Sequence, residues 1–234
     1  MQLELKDISK TYENGSLRQV LDDISLTIST GETLAIIGPS GSGKSTLLNI
    51  MGTLDQPSYG SVLFNGTEIG SFDEPSLASL RNKHIGFVFQ KHYLLPQLNV
   101  LENVLVPVIP QKDKARYAAA QIRAKELLDK VGLADKLQRL PGQLSVGECQ
   151  RAAVVRALIN QPELILADEP TGSLDNDSAA HLGDLLASLK KDFTVAMVVV
   201  THSPDFAQRM DKVYRLVNGR LLLSPLAEGA GGLD

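Results

Sequence analysis

Residues 33–46 read TLAIIGPSGSGKST, and the two halves of this stretch explain each other. TLAII is an unbroken apolar run, as a short strand buried on both faces of a parallel sheet requires. It ends on Gly38, and GPSGSGKS (38–45) fits G-x-x-x-x-G-K-[ST] without a mismatch. Beyond the glycines Leu47, Leu48, Ile50, Met51 and Leu54 recur at helical spacing. Strand, glycine turn and helix in that order form a phosphate cradle. Glycines let main-chain N–H groups turn inward around the anion, Lys44 reaches the β- and γ-phosphates, and Ser45 offers a hydroxyl to Mg²⁺. The rival reading, a glycine-rich turn with no ligand, has to treat the full spacing and its context as chance.

Outward from this stretch the strand signals recur. LILAD (164–168) and TVAMVVVTH (194–202) are buried-strand runs separated by the helical SAAHLGDLLASLKK, which predicts an α/β fold with a mainly parallel sheet. ISLTI (24–28) and SVLFNGTEI (61–69), the latter with an Asn-Gly turn, predict a small N-terminal antiparallel sheet, and VYRLVNGRLLL a hairpin turning at Asn218-Gly219. From about 91 to 160 helical patterns replace strand patterns, which reads as a helical subdomain inserted into a core of about 1–90 and 161–223, with a flexible tail at 224–234.

The 234 residues carry a net charge of −4 and one cysteine, Cys149, so neither a nucleic-acid surface nor an internal disulfide framework is expected. The N-terminus lacks a signal-peptide core, and the longest clean apolar run, VAMVVV (195–200), is far too short to span a bilayer. Any membrane role is therefore expected to come through other chains.

A phosphate cradle needs a metal ligand and a base. In LILADEP (164–170) two carboxylates follow a buried strand: Asp168 suits Mg²⁺ coordination through water, and Glu169 suits polarising an attacking water. Without the cradle they would read as acids capping a strand end. His202, after VVVT, suits a γ-phosphate or that water; His84, His92 and His181 show no metal-ligand spacing and read as surface residues. LSVGECQR (144–151) opens with an S-x-x-E capping box, Ser145 to Glu148, so a helix starts there, and its N-terminus is either a plain cap or an anion site. Cys149 is expected as a small residue in an exposed turn; the alternative is a thiol made acidic by the helix N-terminus.

With GPSGSGKST, LSVGECQR, LADEPTGSLD and VVTH in this order over roughly residues 1–223, the chain resembles the nucleotide-binding subunits of ATP-binding-cassette (ABC) transporters. The resemblance implies a P-loop NTPase core, an N-terminal antiparallel β-subdomain and an inserted helical signature subdomain. It implies ATP and Mg²⁺ as ligands, held as follows. Tyr12 stacks on adenine. Gly38, Pro39, Ser40, Gly41, Ser42, Gly43, Lys44, Ser45 and Thr46 wrap the phosphates, with Ser45, Gln90 and Asp168 around the metal. Glu169 is the general base, His202 the switch residue, and Gln90 also links to the membrane partner. Ser145, Gly147 and Glu148 of the signature and Asp175 of the loop Ser173-Leu174-Asp175 meet the nucleotide of a second copy in a head-to-tail sandwich dimer. The family pattern has glycine where this chain has Val146, a change that is harmless only if φ there is negative.

LRN, GFVFQ, LLP and LENV within residues 80–107 resemble the branch that includes lipoprotein-releasing, peptide- or drug-exporting and division-associated ATPases. That branch implies a motor for separate permease subunits at the cytoplasmic face of the inner membrane, with Tyr93, Leu94, Leu95, Leu98 and Val100 partly exposed toward the permease and partly core. The alternative within it is a regulatory subunit that dimerises on ATP with little hydrolysis. A DNA-repair or chromosome-organising head would need a coiled-coil or zinc insertion, and a small-molecule kinase would have no use for LSVGECQR.

Overall fold

The computed structural model describes residues 2–13 and 17–224, the side chains of 189–193 excepted. The segment 225–234, read above as part of a flexible tail, lies outside the described residues. The strands and helices begin with β1 (Gln2–Glu13), β2 (Leu17–Ser29), β3 (Thr33–Ile37), α1 (Lys44–Met51), β4 (Tyr59–Phe64) and β5 (Thr67–Glu68). Then come α2 (Glu74–His84), β6 (Ile85–Phe89), α3 (Val100–Leu105), α4 (Lys114–Lys130), α5 (Val146–Leu158), β7 (Leu164–Asp168) and α6 (Asn176–Phe193). The chain closes with β8 (Ala196–Val200), α7 (Pro204–Ala207), β9 (Lys212–Val217) and β10 (Arg220–Ser224). Two compact units result: Met1–Ser71 with Ala196–Asp234, and Phe72–Val195.

In the first unit β2, β1, β4 and β5 form an antiparallel sheet in that order. The alternation in ISLTI is borne out: Ile24, Leu26 and Ile28 are buried and Ser25 and Thr27 are not. Asn65-Gly66 turns the chain between β4 and β5 with both residues at positive φ, 52° and 78°, as a tight hairpin demands. Asn218-Gly219 does the same between β9 and β10. Strand β3 lies between β8 and β9 with both pairings parallel. Its Leu34, Ala35 and Ile36 are fully buried, which is why the run contains no polar alternation. At its start, the main-chain N–H and the hydroxyl of Thr33 both donate to Asp211, each at 2.9 Å, fixing where the strand begins.

The helix after β3 buries Leu47, Leu48, Ile50 and Met51. Leu54, counted above with that stripe, departs from it: the helix ends at Gly52, Leu54 donates its N–H back to Asn49 O, and its side chain is 49% exposed.

In the second unit β6 and β7 pair in parallel, register Ile85↔Leu164 to Phe89↔Asp168. Between residues 91 and 160 the described elements are α3, α4, α5 and 3₁₀ turns, with no strand. Buried Asn103 organises the loop that follows β6. Its Oδ1 accepts from the Leu95 N–H and its Nδ2 donates to the carbonyls of Leu95, Leu98 and Asn99.

Candidate active site

The turn between β3 and α1 has the properties of an anion cradle. No side chain caps α1; Gly43 stands at its N-terminus in the left-handed region, φ 102°, so the helix directs its first N–H groups at the turn. A Cβ on Gly43 would sit 2.9 Å from Val20 and Leu21, and one on Gly38 would sit 2.4 Å from the Leu216 carbonyl oxygen. Lys44 is 6% exposed, and its Nζ donates to the carbonyls of Gly38 (2.9 Å) and Pro39 (3.0 Å). The Ser42 hydroxyl is buried with no protein partner. A helix N-terminus, a buried ammonium and an orphaned hydroxyl around one glycine turn fit a polyphosphate.

His202 lies just past β8 and is exposed, with Nε2 3.4 Å from Lys44 Nζ. The histidine is thus placed where an anion held by Lys44 would be. Tyr12, near the end of β1, donates its hydroxyl to Asp55 Oδ2 at 2.6 Å; Lys10 Nζ donates to Asp55 Oδ1 at 2.6 Å and lies 4.8 Å from the centre of the tyrosine ring. Sequence reading found Tyr12 but not Lys10 or Asp55, which only the fold brings to it.

In the second unit Gln90 and Glu169 follow the paired residues Phe89 and Asp168, so they leave neighbouring strand ends together. Asp168 is half-buried. Glu169 takes φ 46°, a left-handed conformation that costs a non-glycine residue about 1–2 kcal/mol and that nothing in LADEP announces. The Gln90 loop is held by side chains from elsewhere. Gln150 Nε2 donates to Phe89 O at 2.8 Å, Arg156 donates to the carbonyls of His92 (2.7 Å) and Tyr93 (2.6 Å), and the Ser173 hydroxyl donates to Gln90 O at 3.2 Å. Of the apolar residues that follow, Tyr93 (61%) and Leu95 (45%) are exposed while Leu94 and Val100 are buried, so the expected division into surface and core is borne out.

The capping box at the start of α5 is present in full. Ser145 Oγ accepts from the Glu148 N–H at 3.2 Å, and Glu148 Oε2 accepts from the Ser145 N–H at 2.7 Å. The hydrogen bond from Ser145 is also the main cause holding the Glu148 carboxyl below the usual range. Val146 is the first helical residue, is 51% exposed and does not have positive φ, so its β-branch meets no backbone penalty. Gly147 is buried; a Cβ there would press within 3.2 Å of Ser178 Oγ. Asp175 holds that serine, accepting from its N–H at 2.9 Å and its hydroxyl at 2.8 Å, and so caps α6.

Two expectations need correction. Cys149 is not in an exposed turn: it is 3% exposed, its Sγ 3.5 Å from Pro141 O, and burial, with Glu148 adding to it, pushes the thiol pKa up rather than down. Of the three histidines read as surface residues, His181 is exposed and His84, its side chain 40% exposed, pairs with Glu163 at 2.6 Å; the correction is His92, which is half-buried and accepts the Leu94 N–H at Nδ1.

The Ser45 hydroxyl is exposed in the first unit, and the Asp168 carboxylate is half-buried at the end of β7 in the second; each is an oxygen donor of the kind a hard cation takes. Among the described residues no cluster of three His, Cys, Asp or Glu could hold a metal alone, and Mg²⁺ kept largely by phosphate oxygens and water needs none. Nor is any described helix long and apolar enough to cross a membrane.

The family profile described as "ABC transporter" matches residues 21–172. The "Lipoprotein-releasing system ATP-binding protein LolD" of Geobacter metallireducens is 48% identical over 94% of this chain and 97% of its own length. Its namesake in Shewanella oneidensis is 46% identical over 97% and 98%. Among solved structures, the ATP-binding cassette MJ0796 in a dimeric post-hydrolysis state bound to ADP and Pi superposes with a TM-score of 0.85 at 35% identity, covering 97% of this chain and all of that one. A second dimeric structure of MJ0796, a bacterial ABC transporter cassette, gives 0.87 at 37%. Glycine cradle, capped signature helix and full-length kinship agree: the chain belongs to the ABC transporter family and is an ATP-binding, ATP-hydrolysing cassette of it.

Proposed function

We propose that the chain is the ATPase motor of a lipoprotein-releasing transporter, working with separate permease subunits at the cytoplasmic face of the inner membrane. The observation that carries this reading is kinship to lipoprotein-releasing ATP-binding proteins at 46–48% identity over nearly the whole length of both chains. The apolar residues exposed after Gln90, Tyr93 and Leu95, fit a surface that docks a membrane partner. The strand-free stretch 91–160 supports its assignment as a helical subdomain on a core of about 1–90 and 161–223.

In the reaction, Gly38–Thr46 wrap the phosphates of ATP and Lys44 offsets their charge, while Tyr12 takes the adenine. The Glu169 carboxylate accepts a proton as water attacks the γ-phosphorus, the new P–O bond forms and the bond to the β-phosphate oxygen breaks. Ser45, Gln90 and Asp168 would hold Mg²⁺, which would supply further charge neutralisation. His202, 3.4 Å from Lys44, steadies the γ-phosphate. From a second copy, Ser145, Gly147 and Glu148 of the signature with Asp175 complete the site. Within that group Glu148 and Asp175 act by fixing the caps of α5 and α6 respectively, a role their observed hydrogen bonds support.

Glu169→Gln should slow single-turnover hydrolysis by roughly 10²–10⁴-fold while ATP binding is retained. Light scattering on this variant should show a monomer-to-dimer shift with Mg-ATP. Unimpaired hydrolysis would overturn the base assignment; a wild-type rate near zero would favour the regulatory alternative. Copurification with lipoprotein-release permease subunits and stimulation of ATPase rate by them would test the transporter branch.

A further inference from the structure

We propose that Lys10 and Asp55 are positioning residues for the nucleotide base: they lock the Tyr12 ring onto the turn that closes α1, the helix that follows the phosphate loop, so that adenine stacks on a preset surface. The inference rests on the reading that ATP's adenine meets Tyr12, and adds what holds that ring.

The three residues are far apart in sequence and converge within the first unit. Tyr12 and Lys10 are two positions apart on β1, and both side chains reach Asp55. Asp55 follows α1, in a turn whose N–H groups at Leu54 and Asp55 both donate to Asn49 O in that helix. Its carboxylate bridges the pair: Oδ2 accepts the Tyr12 hydroxyl and Oδ1 the Lys10 ammonium, both at 2.6 Å. Lys10 is tied down again at the Gln56 carbonyl (2.7 Å), and its side chain is only 12% exposed. Tyr12 is therefore fastened, through Asp55, to the turn that closes the helix whose N-terminus faces the phosphates.

The arrangement has two consequences for a base. Fixing the ring beforehand removes the rotamer entropy that stacking would otherwise cost. The ammonium occupies one ring face at cation–π distance, 4.8 Å from the centroid, so a flat base is directed to the other. A pair serving structure alone would not need the tyrosine hydroxyl; here the hydroxyl is the anchor. Burial pushes the Asp55 carboxyl up, but the bonds from Lys10, Tyr12 and the Gln56 main chain outweigh it, so it stays charged at neutral pH.

The test compares binding of Mg-ATP with that of Mg-tripolyphosphate, which lacks the base, in full-length wild type, Asp55→Asn, Lys10→Met, Tyr12→Phe and Tyr12→Ala. Asp55→Asn, Lys10→Met and Tyr12→Phe should each weaken ATP binding by about two- to tenfold, and leave tripolyphosphate binding unchanged. Tyr12→Phe is decisive because it keeps the ring and removes only the anchor. Tyr12→Phe with Asp55→Asn should be no worse than either alone. Equal losses for both ligands, or ATP affinity preserved in Tyr12→Phe and Lys10→Met while Tyr12→Ala loses it, would overturn the proposal and leave the adenine reading standing. If Tyr12→Ala too binds ATP normally, the adenine reading itself falls. Should Asp55→Asn fail to fold, Lys10→Met and Tyr12→Phe decide the matter.

Discussion

The phosphate loop at 38–46 and the signature segment at 144–151 are both glycine-bearing helix starts, and they are built on opposite principles. The loop is made of main chain. Gly43 adopts a left-handed φ of 102°, Gly38 passes too close to the Leu216 carbonyl for any Cβ, and no side chain caps the helix. The signature start is made of side chains. Ser145 has ordinary extended dihedrals, Val146 is plainly helical, and the reciprocal Ser145–Glu148 hydrogen bonds set the geometry. One segment is intolerant of side chains where the other depends on them, which is why a valine stands at 146 and could not stand at 38.

The sharpest way to break this contrast is Gly38→Ala. Its Cβ must displace backbone rather than a flexible side chain, so about 1–3 kcal/mol of destabilisation is expected, a fall in Tm of several degrees and a loss of nucleotide affinity. Calorimetry with and without Mg-ATP reads all three; a variant that binds and melts like wild type would show that the loop has slack. Ser145→Ala comes next. Losing the cap should cost about 1 kcal/mol, and ATP-driven dimerisation should weaken with it. Val146→Gly should do less: a stability loss of about 0.5–1 kcal/mol and no gain in dimerisation by light scattering. If glycine there strengthened the dimer markedly, the claim that this position asks nothing of its backbone would be wrong.

The smallest effect concerns pH. Burial first, and then the Arg156 guanidinium, hold His92 below the usual histidine value, and its Nδ1 must be unprotonated to accept the Leu94 N–H. A depressed folded pKa means that the unfolded chain binds the proton more readily. The contribution is therefore complete above about pH 6.5 and is lost as pH falls below it toward the folded value. Tm measured between pH 7.5 and 5.5 should fall less steeply in His92→Asn than in wild type.

Most of the frame was legible in the sequence because it rests on local rules. The buried run at 33–37, the glycine spacing, the capping box and the two Asn-Gly turns each contain their own reason. What escaped has causes outside its neighbourhood. Lys10 and Asp55 are 45 residues apart and look like ordinary surface charges until β1 and the turn after α1 meet. Cys149 sits four residues past the exposed N-cap Ser145, yet helix periodicity turns it inward. The left-handed backbone of Glu169 is imposed by the turn out of β7, since a glutamate offers no preference for it. Leu54 continued an apolar period that the helix itself did not.

The fastening of the Gln90 loop has a consequence for how this surface can diverge. Gln150, Arg156 and Ser173 hold it by the carbonyls of Phe89, Gln90, His92 and Tyr93, groups that every residue possesses. The anchor is thus blind to the identity of what it holds. Exposed Lys91 and Tyr93 can be rewritten to suit a different neighbour while the path of the chain stays put, as lettering can be changed on a fixed sign.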